Sequence, residues 1–325
     1  MHIAAPLPLD PLMKLALLCL SAVLLDRWLG EPPRWHPLVG FGRLAGYMEQ
    51  RLYGPPTVSP RARRWRGLAA LLGLTAPAAA AAWLLAGLPY LGVAADCGLL
   101  YLALGAASLR EHAEAVAAAL RQGDLALARR RVGSIVSRDT AELDAGQIGA
   151  ATVESVLENG CDAVFGALFW FIAAGAPGVV AYRLVNTLDA MWGYRTGHYR
   201  DFGWAAARLD DGLNWLPDRL TALSYTLLGR SRTAWRCWRT QAAAWKSPNA
   251  GAVMAAGAGA LEVTLGGAAP YHGQWQPRPS LGAGPPPEVA TIGWALTLVQ
   301  HSLWLWLGLL WLWASRIWWG GTLFA

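Results

Sequence analysis

Charge is what this chain has little of: 15% of its 325 residues are Asp, Glu, Lys or Arg, while 55% are hydrophobic and the mean hydropathy is +0.30. So small a charged fraction excludes an ordinary soluble domain and predicts an integral membrane protein. Lysine is nearly missing, with Lys14 and Lys246 set against 25 arginines. The four cysteines, Cys19, Cys97, Cys161 and Cys237, show no CxxC or Cys/His spacing. That excludes a zinc site or a disulfide framework and leaves them as small buried hydrophobes. No GxxxxGK[ST], GxGxxG, HExxH or GxSxG motif is present and strand-like alternation is scarce, so any use of ATP must rely on a helical, nonstandard site. No RNA- or DNA-binding module is recognisable, and the net charge of +6 reads as attraction to anionic lipid rather than to nucleic acid.

What is there is mostly helix for a bilayer. Apolar runs near the length needed to cross about 30 Å of hydrocarbon occur at 12–29, 67–88, 90–109, 163–182 and 290–314. The first lacks a basic leading segment and continues through Asp26, Arg27 and Glu31 without a cleavage site, so it is read as retained. The last is Leu/Trp-rich and ends in an interfacial-type anchor with Arg316. The expected fold class is an all-α, polytopic membrane protein, a single domain over 1–325 with four to five membrane helices.

Arginines at 30–66 and 110–138 place both segments on the cytoplasmic side by the positive-inside bias. The segment 183–246, with nine arginines and one lysine, wants the same side, yet a true span at 163–182 would move it across. The sequence Ala174-Gly175-Ala176-Pro177-Gly178 breaks that run near its middle, so a re-entrant helix pair is the preferred expectation. Residues 110–162 read as a soluble helical insert: a helix over 108–122 stopped by Gly123, a second capped by Asp124, and a third after Asp144. The third carries Glu154, Glu158 and Asp162 at i, i+4 and i+8, on one face. Such a stripe is commonly a solvated face, but this one runs into AVFGALFWFI, where unpaired carboxylates are costly. Glu158 and Asp162 are therefore candidate ligands for a hard cation such as Mg²⁺.

The densest polar block is Asn186–Thr221, where carboxylates, amides and arginines mingle with Trp192, Tyr194, Tyr199, Phe202, Trp204 and Trp215. Polar groups converging among aromatics describe a ligand site better than a linker. Residues 183–251 are read as the polar core on this ground.

Four blocks carry a resemblance over nearly the whole chain: LLDRWLGEPPRWHPLVGFGRL from Leu24, SRDTAELDAGQIGAATVESVLENGCD from Ser137, YRLVNTLDAMWGYRTGHYRDFGWAAARLDDGLNWLPDRLTAL from Tyr182, and SPNAGAVMAAGAGALEVTLGG from Ser247. In this order they resemble the CobD/CbiB family of adenosylcobinamide-phosphate synthases. The resemblance implies a ligase of cobalamin biosynthesis in the bacterial inner membrane, its active site facing the cytoplasm. Its substrates would be the corrinoid adenosylcobyric acid, through its free propionate, and (R)-1-amino-2-propanol or its O-phosphate, joined as an amide with ATP and Mg²⁺. It also implies contact with the lipid bilayer, none with nucleic acid, and association with other corrinoid-pathway enzymes.

Activation of a carboxylate needs a metal ion, phosphate-binding cations and a base for the incoming ammonium. Under the resemblance, Glu158, Asp189, Asp210 and Asp211 are the candidate catalytic carboxylates, with Glu158 and Asp162 for metal. Arg138, Arg195 and Arg208 are candidate phosphate forks, and Asn159, Asn186, Tyr199, Asn214, Lys246, Ser247 and Asn249 complete the substrate- or ATP-binding set. Arg208 and Asp211, three residues apart, are expected to share a helix face with Asp210 turned away. His36 and Tyr271 sit in polar turns and are candidates to seat substrate, and the Gly/Pro-rich stretch 268–288 is expected to be disordered or species-variable. Two other classes compete. A transporter would keep its ionisable residues within spans and often show repeated spans, and neither is evident. A non-catalytic scaffold or sensor for corrinoid enzymes would not need the Asn/Asp/Arg constellation.

Overall fold

In a computed structural model, the chain is described over residues 10–32, 36–194, 196–271 and 273–322, with the backbone alone for Pro248 and 317–322. Among the described residues helices dominate, and strand is confined to four three-residue pieces. The first helices start where side chains satisfy free N–H groups. Asp10 caps α1 (Pro11–Leu29) and accepts from Leu12 N at 2.8 Å, His36 caps α2 (Pro37–Leu52), and Ser59 caps α3 (Pro60–Ala86), each with proline in the first turn. The third apolar run is divided, because Leu104 is extended between α4 (Gly92–Ala103) and α5 (Ala106–Arg121).

The segment between spans follows its start and stop signals. Gly123 takes φ 72°, Asp124 caps α6 (Leu125–Val132), and Asp144 with Gln147 forms a complete capping box at the head of α7 (Ala145–Gly160). Among the described residues, four helical stretches are long and apolar enough to cross a membrane: Pro60–Ala86, Gly92–Arg121, Ala145–Trp192 and Val289–Arg316. α1 carries Lys14, Asp26 and Arg27 and falls outside that set. The protein is a mostly helical, multi-pass membrane protein.

The third of these stretches is not a rod. After α7 comes a π-helical turn, Cys161–Phe165, then α8 (Gly166–Trp192), interrupted at Gly175 by φ 65° and ψ −156°. Only glycine occupies that region without strain. The chain doubles back there. In continuous helix, residues 20 apart lie about 30 Å apart, yet the Tyr182 hydroxyl donates to the Asp162 carbonyl at 3.1 Å. The ring of Tyr182 lies so close to Gly166 that any Cβ there would collide with it. Residues 163–182 are thus a helical hairpin with its two ends together, the geometry that the arginine distribution calls for.

After α9 (Tyr199–Phe202), α10 (Trp204–Leu228) packs on the hairpin and on α12 (Pro248–Leu261), with α11 (Ser231–Gln241) against α12. Ser247 caps α12 through Ala250 N, and proline follows at its first position, so the SPNAG block is a helix start. The stretch 268–288, for which disorder is one expectation, carries paired strands instead among its described residues: β4 (Ser280–Gly282) with β1 (Thr264–Gly266) just before it, and β2 (Ala269–Tyr271) with β3 (Gln274–Gln276), both antiparallel. Its glycines supply the positive φ that tight turns need, as at Gly266, Gly267 and Gly273. α13 (Val289–Thr322) closes the main core, where Ile292, Ala295 and Val299 meet Val156, Phe165 and Tyr225.

Candidate functional site

Two polar stripes on different helices face each other across the hairpin. One is the expected Glu154, Glu158, Asp162. The other lies on α10: Asp210, Asn214 and Asp218, again at i, i+4 and i+8. The π turn carries Cys161 and Asp162 out of the helical register of α7, a distortion often found at functional sites. There the ligand-type atoms of Cys161, Asp162 and Asp218 lie within 4.8 Å of one another. Asp210, Asp218, Glu158 and Asp189 all stand close enough for their charges to act on Asp162.

The α10 stripe is anchored by amides. Asn214, buried, donates to one Asp210 oxygen at 3.0 Å and accepts from the Tyr182 hydroxyl at 2.8 Å. Asn186 donates to the other Asp210 oxygen at 3.3 Å. Burial pushes the Asp210 carboxyl up despite these two donors, and burial together with the neighbouring Glu158 and Asp210 charges pushes Asp218 up. Two carboxyls held this way are poised to exchange a proton or accept a cation.

A cavity of about 680 Å³ opens beside this cluster. Glu158, Asn159, Asp162 and Arg138 line it, as do His36, Tyr271 and, from the second hairpin arm, Arg183. The two positive groups differ in availability. Arg138 is paired with buried Glu154, which also takes both terminal nitrogens of Arg278 at 3.1 Å and the backbone N–H of Gly266 at 2.8 Å. That triad ties the β segment to α7 and commits Arg138 to structure. Among the described residues Arg183 has no carboxylate partner, only a 3.4 Å contact to Asn186, and its buried Nε has no hydrogen-bond partner. A guanidinium with a spare buried donor facing a cavity is the better phosphate fork.

The remaining expectations fall in three places. Asp189 and Asn186 join the carboxylate cluster from the second hairpin arm. Asn249 and Asp211 meet each other elsewhere: the Asn249 amide donates to the Asp211 carbonyl at 2.7 Å and accepts from Arg219 at 3.0 Å, joining α12 to α10 while the Asp211 side chain faces outward. Arg208 and Lys246 are exposed and outside the cavity lining, Arg208 without a carboxylate within 4.0 Å among the described residues. Asp210, not the Arg208–Asp211 face, points inward, because its helix face, with Ala206, Asn214 and Asp218 buried and Asp210 half-buried, packs on the hairpin where Asn186 and Asn214 hold it. Tyr199 belongs to a separate cluster around Glu49 with His198 and Trp192, Ser247 is the α12 cap, and Arg195 lies outside the described residues. Sequence reading missed Asp218 and Arg183. The signal for Asp218 was present in the 210, 214, 218 spacing, and for Arg183 in its position three residues before Asn186.

A family model described as CobD/Cbib protein matches residues 19–299. The chain belongs to the CobD/CbiB family. Among the family's curated members, the "Cobalamin biosynthesis protein CobD" of Chromobacterium violaceum is 62% identical over 91% of this chain and 96% of its own length. The protein of that name from Stutzerimonas stutzeri is 58% identical over 91% and 96%, and that from Mycobacterium tuberculosis H37Rv is 41% identical over 86% and 89%. No solved structure matches the chain.

Proposed function

We propose that the protein acts in cobalamin biosynthesis as an adenosylcobinamide-phosphate synthase, joining the free propionate of adenosylcobyric acid to (R)-1-amino-2-propanol or its O-phosphate with ATP and Mg²⁺. Family membership and the names of its relatives support the pathway. The observation that carries the chemistry is the cavity with Glu158 and Asp162 on one wall, Asp210 and Asp218 clustered with Asp162 behind that wall, and Arg183, whose Nε has no partner among the described residues, beside it.

The donor set fits a hard cation bound with a polyphosphate. Asp162 and Asp218 offer oxygens of the kind Mg²⁺ takes, one or two at a time with phosphate oxygens, while the Cys161 thiol beside them is too soft to serve it. Asp162 and Asp218 would hold the ion. When bound, Mg-ATP supplies the phosphoryl group that activates the propionate. Arg183 grips phosphate oxygens through its planar fork. Glu158, on the cavity wall one turn from Asp162, takes the proton that the incoming ammonium must lose before its nitrogen can attack.

Purified membranes given adenosylcobyric acid, Mg-ATP and each amine should yield the corrinoid amide, followed by mass. No product with either amine, from folded protein, rejects the reading. The site is proposed to face the cytoplasm from the inner membrane. Cysteines placed at Arg200 and Ala126, with the native ones removed, should both be protected from an impermeant thiol reagent in intact cells, and labelling of position 200 alone would refute the shared side.

A further inference from the structure

α11 presents two faces that differ in kind. Ala234 and Cys237 are buried against α12, while Arg232, Trp235, Arg236 and Arg239 at i, i+3, i+4 and i+7 form the opposite, exposed stripe. The helix contains no acidic residue, and none of these three arginines has a carboxylate within 4.0 Å among the described residues. Beside the stripe, α10 exposes Leu216, Leu223, Leu227 and Leu228. Between the two helices lies a hollow of about 390 Å³, walled by Arg219, Trp235, Trp238 and Arg239 over an alanine floor. The Arg219 guanidinium stacks on Trp215 at 4.4 Å, and Arg239 reaches over Trp235 at 5.9 Å.

Exposed leucines, tryptophans and arginines without carboxylate partners among the described residues, set side by side, are the surfaces that an acyl chain, the interface and a headgroup phosphate respectively take. We infer that the α10–α11 hollow is a seat for an anionic phospholipid, its phosphate held by Arg219 and Arg239, with Arg232 and Arg236 on neighbouring headgroups. Charge decides the occupant: a zwitterionic lipid offers this row no net counter-charge, whereas each arginine near an anionic surface contributes about 1 kcal/mol. The seat lies outside the cavity proposed for catalysis.

The test is native mass spectrometry of the full chain released from bicelles of phosphatidylcholine mixed with phosphatidylglycerol. Wild type should retain phosphatidylglycerol in preference to phosphatidylcholine. R232Q/R236Q/R239Q should weaken that preference by on the order of a hundredfold, the sum of three such contacts. R130Q/R131Q, two exposed arginines on α6, should leave it intact, with folding of each variant checked by circular dichroism. Equal retention of both lipids, a triple variant that keeps the preference, or a control variant that loses it would each overturn the seat. Displacement of the lipid by inorganic phosphate alone would show a free-anion site and overturn it as well.

Discussion

Replacing Glu154 by Gln keeps the shape of the side chain and removes its charge. Glu154 is 2% exposed and stands between Arg138 and Arg278, whose side chains are each 12% exposed, and it also accepts the Gly266 N–H. The amide leaves two nearly buried guanidiniums without a counter-charge and turns an N–H₂ donor toward donors. Removing one partner from a buried ion pair costs about 3–5 kcal/mol. The cavity bordering the triad lets some water reach the arginines, which favours the lower end, about 3 kcal/mol. At roughly 2 °C per kcal/mol for a chain of this length, the thermal midpoint in detergent should fall by about 6 °C. Because Arg278 pins the β segment to Glu154, limited proteolysis near Gly273 should also accelerate. Arg138→Gln should do less to that segment, since Arg278 keeps its partner. A loss no larger than the roughly 1 kcal/mol of an exposed ion pair, with unchanged proteolysis, would refute the triad as the anchor of the β segment.

Asp218→Asn and Asp162→Asn should each lower turnover strongly with near-normal expression and detergent stability, and equal loss of folded protein and activity would mark a structural role. Gly175→Ala forces an L-residue to φ 65° and ψ −156° and should cost roughly 1–3 kcal/mol in a denaturation assay; a neutral result would show that the hairpin bend tolerates a side chain. Asp210 and Asp218 rise from an ordinary value of 3.8 to about 6 and about 7. A carboxyl with a higher pKa folded than unfolded stabilises the fold while protonated, so their contribution is full below pH 3.8 and lost as pH rises through about 6 and 7. The difference in thermal midpoint between wild type and D210N/D218N should therefore move against wild type across that window when Mg²⁺ is absent, and no pH dependence of the difference would contradict the burial argument.

The sequence by itself determined the elements and their approximate ends. Apolar runs, the caps at Asp124 and Asp144, Gly123 and the break at Gly175 are local signals, written in residues within a few positions of the feature they specify. The acidic stripe on α7 was legible for the same reason, because i, i+4 spacing is a property of one helix. Tertiary structure decided which polar groups are partners, since that depends on residues far apart in the chain. It folded the 163–182 hairpin so that Tyr182 meets Asp162, set Asp218 beside Asp162 across 56 positions, and gave Arg138 to Glu154 with Arg278 from the β segment. It also turned Asp210 rather than Asp211 inward. A guanidinium looks the same in sequence whether its charge is already answered or still free. Only packing distinguishes Arg138, satisfied by a buried carboxylate, from Arg183, whose Nε has no partner among the described residues.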